Sequence, residues 1–265
     1  MPPPLTISVV IPSLNTGRFI REAVLSALDQ QPPPHEVIVQ DGGSTDTTLA
    51  ILADVGRGVR VHVERDSGQT DALNRAIVRA TGDVVVWLNA DDRLVPMAFA
   101  AVTEAYGADP DADFVFGDFE VIGADGQVLR QYRSSAYDPR RVFVRGCYIF
   151  SGAIFYRREL LERVGPFDTR YAACMDLDYL LRLGDVKAIH VGRAVAQFRY
   201  SHDQKSARMR WTFLRESHEI RWRAADSMGR KALTLALGAR DSAYLVTHDL
   251  RHSAAWSRLR GSRRL

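Results

Sequence analysis

The chain has 265 residues, 46% hydrophobic and 25% charged, with a formal net charge of +3. This is the make-up of an ordinary soluble globular protein, long enough for one large domain or a domain plus a tail. Two cysteines, Cys147 and Cys174, exclude a disulfide framework and match no zinc spacing. No apolar run approaches the roughly 18–20 residues that span a bilayer, and Met1–Pro4 shows no basic-then-apolar leader, so a reduced, cytoplasmic protein is expected.

In chain order, Ile7–Ile11 is short and β-branched, a buried strand broken by Pro12–Gly17. Phe19–Leu28 has helical spacing and ends before the prolines at 32–34. Glu36–Gln40 predicts a second strand, and the turn-rich Asp41–Asp46 opens a second helix. Val59–Val63 predicts a third strand; Asp66–Gln69 opens a helix through Ala80, with Gly82 as its C′ glycine. Val84–Leu88 is the fourth strand. Strands alternating with helices predict βαβ units whose polar strand-to-helix loops share one edge of a parallel sheet. The second half is less regular. Strands are expected at Phe114–Phe119 and Gly126–Arg133, with a hairpin turn at Gly123–Gly126. An apolar run follows at Cys147–Tyr156, then helices at Arg158–Val164 and Asp176–Leu183, and closing strands at Val186–Val191 and Ala194–Tyr200. Trp211–Ala225 has helical spacing, with Trp211, Leu214, His218 and Trp222 on one stripe. After Gln204 the basic side chains outnumber the acidic ones 14 to 5, so an acidic body carries a basic tail suited to polyanions or lipid phosphates.

The stretch Trp87–Asp92 ends a buried strand in an amide and two carboxylates. Oxygen ligands at such a tip suit a hard cation bridging to phosphates, so a metal-held diphosphate at Asn89–Asp91 is one reading. The other is a plain strand end with Asp92 capping the next helix. Asp41, ending the second strand, suits a helix N-cap or an Asx turn in a Gly-rich loop.

The ordered motifs IPSLN (Ile11–Asn15), VQDGGSTD (Val39–Asp46), ERDSGQTDALNRAI (Glu64–Ile77), VWLNADD (Val86–Asp92), SGAIFYRRELLERVGPFD (Ser151–Asp168) and MDLDYLLRL (Met175–Leu183) together resemble family 2 glycosyltransferases. The resemblance covers about residues 5–205. It implies an α/β chain of GT-A fold, a Rossmann-like, mostly parallel central sheet flanked by helices, with a C-terminal helical extension. Residues 1–205 would be the catalytic domain, with a nucleotide-binding half at 5–95 and an acceptor half at 96–205; residues 206–265 would be the basic helical extension. It implies an inverting, nucleotide-sugar-dependent enzyme using Mg²⁺ or Mn²⁺, with a UDP-sugar as the expected donor. Pro12, Ser13, Asn15, Asp41, Gly68, Asp71, Asn74, Asn89, Ala90 and Asp91 then stand where the nucleotide binds. Asp91 and His202 stand as metal ligands, and Asp92, Ser151 and Gly152 near the acceptor or sugar. Asp176 is the general base, with Asp178 its rival.

Two positions depart from the family pattern: asparagine at 89 in the Asp-x-Asp element, and Met175 where Glu-Asp is common. Processive relatives carry Gln-x-x-Arg-Trp; alanine stands for the glutamine at 207, which favours transfer of a single sugar. The partners implied are a nucleotide-sugar donor and a sugar or lipid-linked glycan acceptor, not nucleic acid. Peripheral contact of the tail with the inner face of a membrane is a further expectation, and an oligomer is left open. A catalytically silent nucleotide-sugar-binding or scaffold protein stands as an alternative, ahead of a nucleotidyltransferase. A dehydrogenase is disfavoured, because no Gly-x-Gly-x-x-Gly follows the first strand.

Overall fold

The protein was analysed as a computed structural model, which describes residues 5–56, 58–200 and 209–252, and side chains of the last helix as far as residue 243. The chain divides into two compact units, Met1–His202 and Asp203–Leu265.

The first unit is built on a sheet whose opening strands are parallel. β1 (Ile7–Ser13), β2 (Glu36–Asp41) and β4 (Val84–Trp87) are buried along their whole length, while β3 (Val59–Val63) forms an exposed edge. The continuous Val/Ile runs of β1, β2 and β4 are what a sheet covered on both faces demands. Ile7, Val9 and Ile11 join one core with α1 (Ile20–Leu28) and α4 (Ala98–Ala108). α1 supplies Ile20, Ala23, Val24 and Ala27, the single stripe that a helix on a sheet buries. α2 (Thr48–Val55) links β2 to β3, and α3 (Gln69–Arg79) packs on β1 and β2, burying Ala72, Leu73 and Ala76.

The strand order β3-β2-β1-β4-β8-β6-β9-β5 carries the sheet on into mixed pairing, with β7 paired to β6. These later strands are β5 (Arg93–Leu94), β6 (Phe114–Ile122), β7 (Val128–Tyr132), β8 (Ile154–Arg157) and β9 (Ala188–Arg199). β8 runs antiparallel to both β4 and β6, and β6 runs parallel to β9. The remaining helices of this unit are α5 (Pro139–Arg145), α6 (Arg158–Val164) and α7 (Met175–Leu183).

Two expectations are corrected, and three elements are added. The closing strands at Val186–Val191 and Ala194–Tyr200 are one strand, β9. Its register against β6 slips between Phe116 and Phe119, and Gly192, at φ 66°, absorbs the extra residues as a bulge instead of a turn. Gly82 is not a C′ glycine, because α3 stops at Arg79 with extended Ala80 as its cap. Glycine is needed there for space: a Cβ would lie 2.7 Å from Ser8 Oγ and 2.9 Å from Ser8 N. Finally, β5, α4 and α5 went unpredicted; β5 is two residues long and shows no period.

The second unit contains α8 (Arg210–Ala224) and α9 (Met228–His252). The two helices pack with Lys231 Nζ 5.4 Å over the Trp222 ring and Arg221 3.7 Å from Asp241. Gly238 lets α9 approach His218, where a Cβ would sit 2.7 Å from Nδ1. Trp211, Phe213 and Trp222 remain exposed. No described helix is long and apolar enough to cross a membrane.

Candidate active site

Side-chain contacts tie together the loops at the tips of the four parallel strands. Ser13 lies opposite Asp41 in the β1–β2 register, and its hydroxyl donates to Asp41 Oδ2 at 3.1 Å. Asn15 takes a left-handed φ of 53° and bridges to the second loop: its amide donates to Ser44 Oγ at 2.8 Å and its Oδ1 accepts from Thr45 N at 2.9 Å. Asp66, from the loop after β3, packs so closely on Gly42 that a Cβ there would be 2.6 Å from its carboxylate. Gln69, the first residue of α3, donates to Asn89 Oδ1 at 2.9 Å, joining the third loop to the fourth. Pro12 is buried opposite Gln40 as part of the floor.

Asp41 is fully buried. Its Oδ1 accepts from two backbone amides, Gly43 at 3.0 Å and Ser44 at 2.7 Å. Its Oδ2 is held by hydroxyls alone, Ser44 at 2.7 Å and Ser13 at 3.1 Å. The Asx turn is therefore real. The Oδ2 contacts are the adaptable ones, because hydroxyls rotate and backbone amides do not.

Two residues expected near the nucleotide have local duties. Asp71 accepts from Ser67 N at 3.0 Å and pairs with Arg75 at 2.9 Å; the Ser67 amide and the Arg75 guanidinium hold its carboxyl below the usual range. Asn74 makes a reciprocal pair with the Phe167 backbone, donating to O at 2.8 Å and accepting from N at 2.9 Å. Both side chains anchor α3. Gly68, at φ 130°, starts that helix from an exposed loop position that an L side chain would strain.

At the β4 tip, Ala90 is buried in the core and Asp91 is half-buried. The Asn89 amide is committed at both ends, to Gln69 and, at 2.7 Å, to Asp92 Oδ2. Asp92 turns inward and is 1% exposed; burial and the neighbouring Asp91 charge push its carboxyl well above the usual range. Among the described residues no three His, Cys, Asp or Glu side chains converge to hold a metal. The donor set at this tip fits a cation that takes one protein carboxylate, Asp91, and finds its other oxygens on substrate phosphates and water, as Mg²⁺ commonly does. His202 lies outside the described residues.

Sequence reasoning missed Arg199, the penultimate described residue of the first unit and fully buried. Its amide donates to Asp92 Oδ1 and its Nε to the Asp91 carbonyl, both at 2.8 Å. A lone arginine in an apolar strand was the available signal, since such a residue is rarely buried without partners.

α7 meets the β4 tip through a stack of rings. Tyr179 lies on Phe167 at 3.9 Å, and Phe167 meets Trp87 edge-on at 5.8 Å. Trp87 Nε1 and Tyr179 OH are buried with no hydrogen-bond partner among the described residues. Asp176, in the first turn of α7, is half-buried and accepts from Leu177 N at 2.8 Å. Burial pushes its carboxyl up, while the Leu177 amide and the Cys147 thiol pull the other way. Asp178 is paired with Arg182 at 2.8 Å, which occupies the rival base. Ser151 and Gly152 form a 3-10 turn ahead of β8 that packs against β4; Gly152 leaves room for the Phe150 ring, 2.7 Å from where a Cβ would be.

The family model for glycosyl transferase family 2 matches residues 8–165, more than half of the chain. The chain belongs to glycosyl transferase family 2. A PGL/p-HBAD biosynthesis glycosyltransferase of Mycobacterium bovis is 33% identical over 184 residues, 66% of this chain and 68% of the relative. An uncharacterized glycosyltransferase of Nostoc is 27% identical over 62% of this chain and 54% of its own. Among solved structures, S. aureus TarS in complex with UDP superposes with a TM-score of 0.61 at 19% identity, over 89% of this chain and 70% of TarS. The mannosyltransferase PcManGT from Pyrobaculum calidifontis, in complex with GDP-Man and Mn2+, gives 0.60 at 22% identity, over 97% and 79%. This glycosyltransferase thus has the GT-A fold, and its family motifs fall on the tips of β1, β2 and β4, the loop into α3 and the first turn of α7.

Proposed function

We propose that this glycosyltransferase moves one sugar from a nucleotide diphosphate sugar, a UDP-sugar in the first instance, to an acceptor hydroxyl with inversion. The observation that carries the reading is the place of Asp176: a half-buried carboxylate in the first turn of a helix that ring packing fastens beside the β4 tip. A general base must hold its carboxylate where the acceptor arrives and have a pKa raised toward the working range. Asp176 takes the proton from the acceptor hydroxyl as the oxygen bonds to the anomeric carbon. The anomeric bond to the diphosphate breaks on the opposite face, and its electron pair leaves with the diphosphate. Asp41 Oδ2, released by its two hydroxyls, accepts from the base of the nucleotide. Asn15, Ser13 and the Gly68 loop shape the space for the nucleoside, and Ser151–Gly152 flank the sugar. Asp91 would hold Mg²⁺ or Mn²⁺, which when bound offsets the charge developing on the leaving group. The UDP, UDP-GlcNAc and GDP-Man named with the structural neighbours make a nucleotide-sugar donor the natural first test.

Asp176→Asn tests the base. Turnover should fall by about 10²–10⁴-fold, the usual contribution of a positioned base, with nucleotide affinity nearly unchanged. Preserved turnover with lost binding rejects the assignment.

A further inference from the structure

Arg199 spends a fully buried guanidinium on one small region of the molecule. Nε donates to the Asp91 carbonyl at 2.8 Å. Nη1 reaches the carbonyls of Gly123 at 3.2 Å and Ala124 at 3.1 Å, in the β6–β7 hairpin. Nη2 meets Glu22 of α1 at 2.6 Å, and the guanidinium lies 4.5 Å from the Phe19 ring centre. The backbone amide of the same residue holds Asp92 Oδ1 at 2.8 Å. From Asp92 the chain of bonds runs on through Asn89 to Gln69 at the start of α3. β9, α1, the hairpin and the nucleotide loop are therefore all referred to the two residues Asp91 and Asp92.

A buried ion of this kind is not needed for stability as such, because an apolar side chain of similar volume often serves as well. What an apolar chain cannot do is fix the direction of a carbonyl. The guanidinium is a rigid planar fork, and its bonds to fixed acceptors leave the turn a single orientation. The peptide whose oxygen it grips bears the side chain that would meet the diphosphate.

We propose that Arg199 is a positioning residue for transfer: it grips the Asp91 carbonyl and the Asp92 carboxylate, and so sets the direction in which the Asp91 side chain meets the donor. The proposal rests on the functional reading above for the role of Asp91; the grip on the turn stands independently of it. Arg199 acts through Asp91 and touches neither sugar nor acceptor.

The test compares Arg199→Lys and Arg199→Met with wild type by hydrogen exchange of the 89–92 amides, by melting temperature, and by Mn²⁺ titration of UDP-sugar and GDP-sugar hydrolysis. Lysine keeps the charge without the fork; methionine keeps the volume without either. In the folded variants the 89–92 amides should exchange faster, the Mn²⁺ concentration for half-maximal turnover should rise roughly 10- to 100-fold, the worth of one or two charged hydrogen bonds, and lysine should not rescue. Unchanged exchange at 89–92 overturns the proposal. Faster exchange with wild-type turnover and Mn²⁺ dependence overturns it too. Should neither variant fold, Glu22→Ala removes the more exposed partner of the same guanidinium; faster 89–92 exchange at an unchanged melting temperature supports the grip, and unchanged exchange removes it. A wild-type protein that hydrolyses no nucleotide sugar defeats the functional reading instead, and exchange alone then decides whether Arg199 holds the turn.

Discussion

A carboxyl raised by burial, as at Asp176, links chemistry to folding. The folded chain binds that proton more tightly than the unfolded chain, whose value stays near 3.8. The ionised group therefore costs stability above its raised pKa and nothing below 3.8, and the loss develops as pH rises between the two. Asp176→Asn should melt at a higher temperature than wild type at neutral pH, with the gap narrowing as pH is lowered; calorimetry across pH checks this. Turnover has the opposite use for the same proton, since a protonated base cannot accept another. It should rise with pH through the raised pKa and then level off. Cys147 donates to that carboxylate and lowers its pKa. Cys147→Ala should accordingly move the acidic limb of the turnover profile to higher pH, and an unmoved limb would separate the thiol from the base. That Asp41 ends a strand and Asp176 opens a helix was legible in the sequence, because each stands where an apolar run meets a polar turn. Arg199 was not, because what buries it comes from Glu22, Gly123 and Asp91, all remote in sequence.

At the scale of elements, α3 is the joint between the β4 tip and the segment leading into α7. Its first turn reaches Asn89 through Gln69 and the Tyr171 carbonyl through Thr70 Oγ1 at 2.8 Å; its middle clamps the approach to α7 through Asn74 on Phe167. Asn74→Ala removes both bonds to Phe167 and leaves backbone polar groups unpaired, a cost of about 1–3 kcal/mol. The loss should be local, with protease cutting and amide exchange rising first between residues 165 and 174 while β1 and β2 stay protected. Uniform loosening of the whole sheet would contradict this picture. The first four strands and their helices were readable because Val/Ile runs and helical stripes persist over several residues. Beyond β4 the chain pairs in both directions: a two-residue β5 offers no pattern, and the bulge at Gly192 looks like a turn in one dimension.

For the whole molecule, charge is unevenly placed. The basic excess after Gln204 accompanies exposed Trp211, Phe213 and Trp222 on α8. Indole rings among arginines suit the headgroup layer of an anionic membrane, where a lipid-linked acceptor would reside. The chain should pellet with vesicles containing phosphatidylserine, less so at high salt, and a version ending at Arg230 should pellet less. Equal pelleting of both versions would dissociate the tail from lipid. The tail's basic character could be counted directly from the sequence, but how α8 and α9 pack on each other could not, because it turns on Gly238 admitting His218.

The indole of Trp87, sealed among rings two residues ahead of Asn89, has an optical consequence. Among the described tryptophans, Trp211 and Trp222 are open to water and emit further to the red than Trp87. With Trp211, Trp222 and Trp256 replaced by phenylalanine, Trp87 is the one indole left, a built-in fluorophore at the β4 tip whose response to an added nucleotide sugar stopped flow would time without any label.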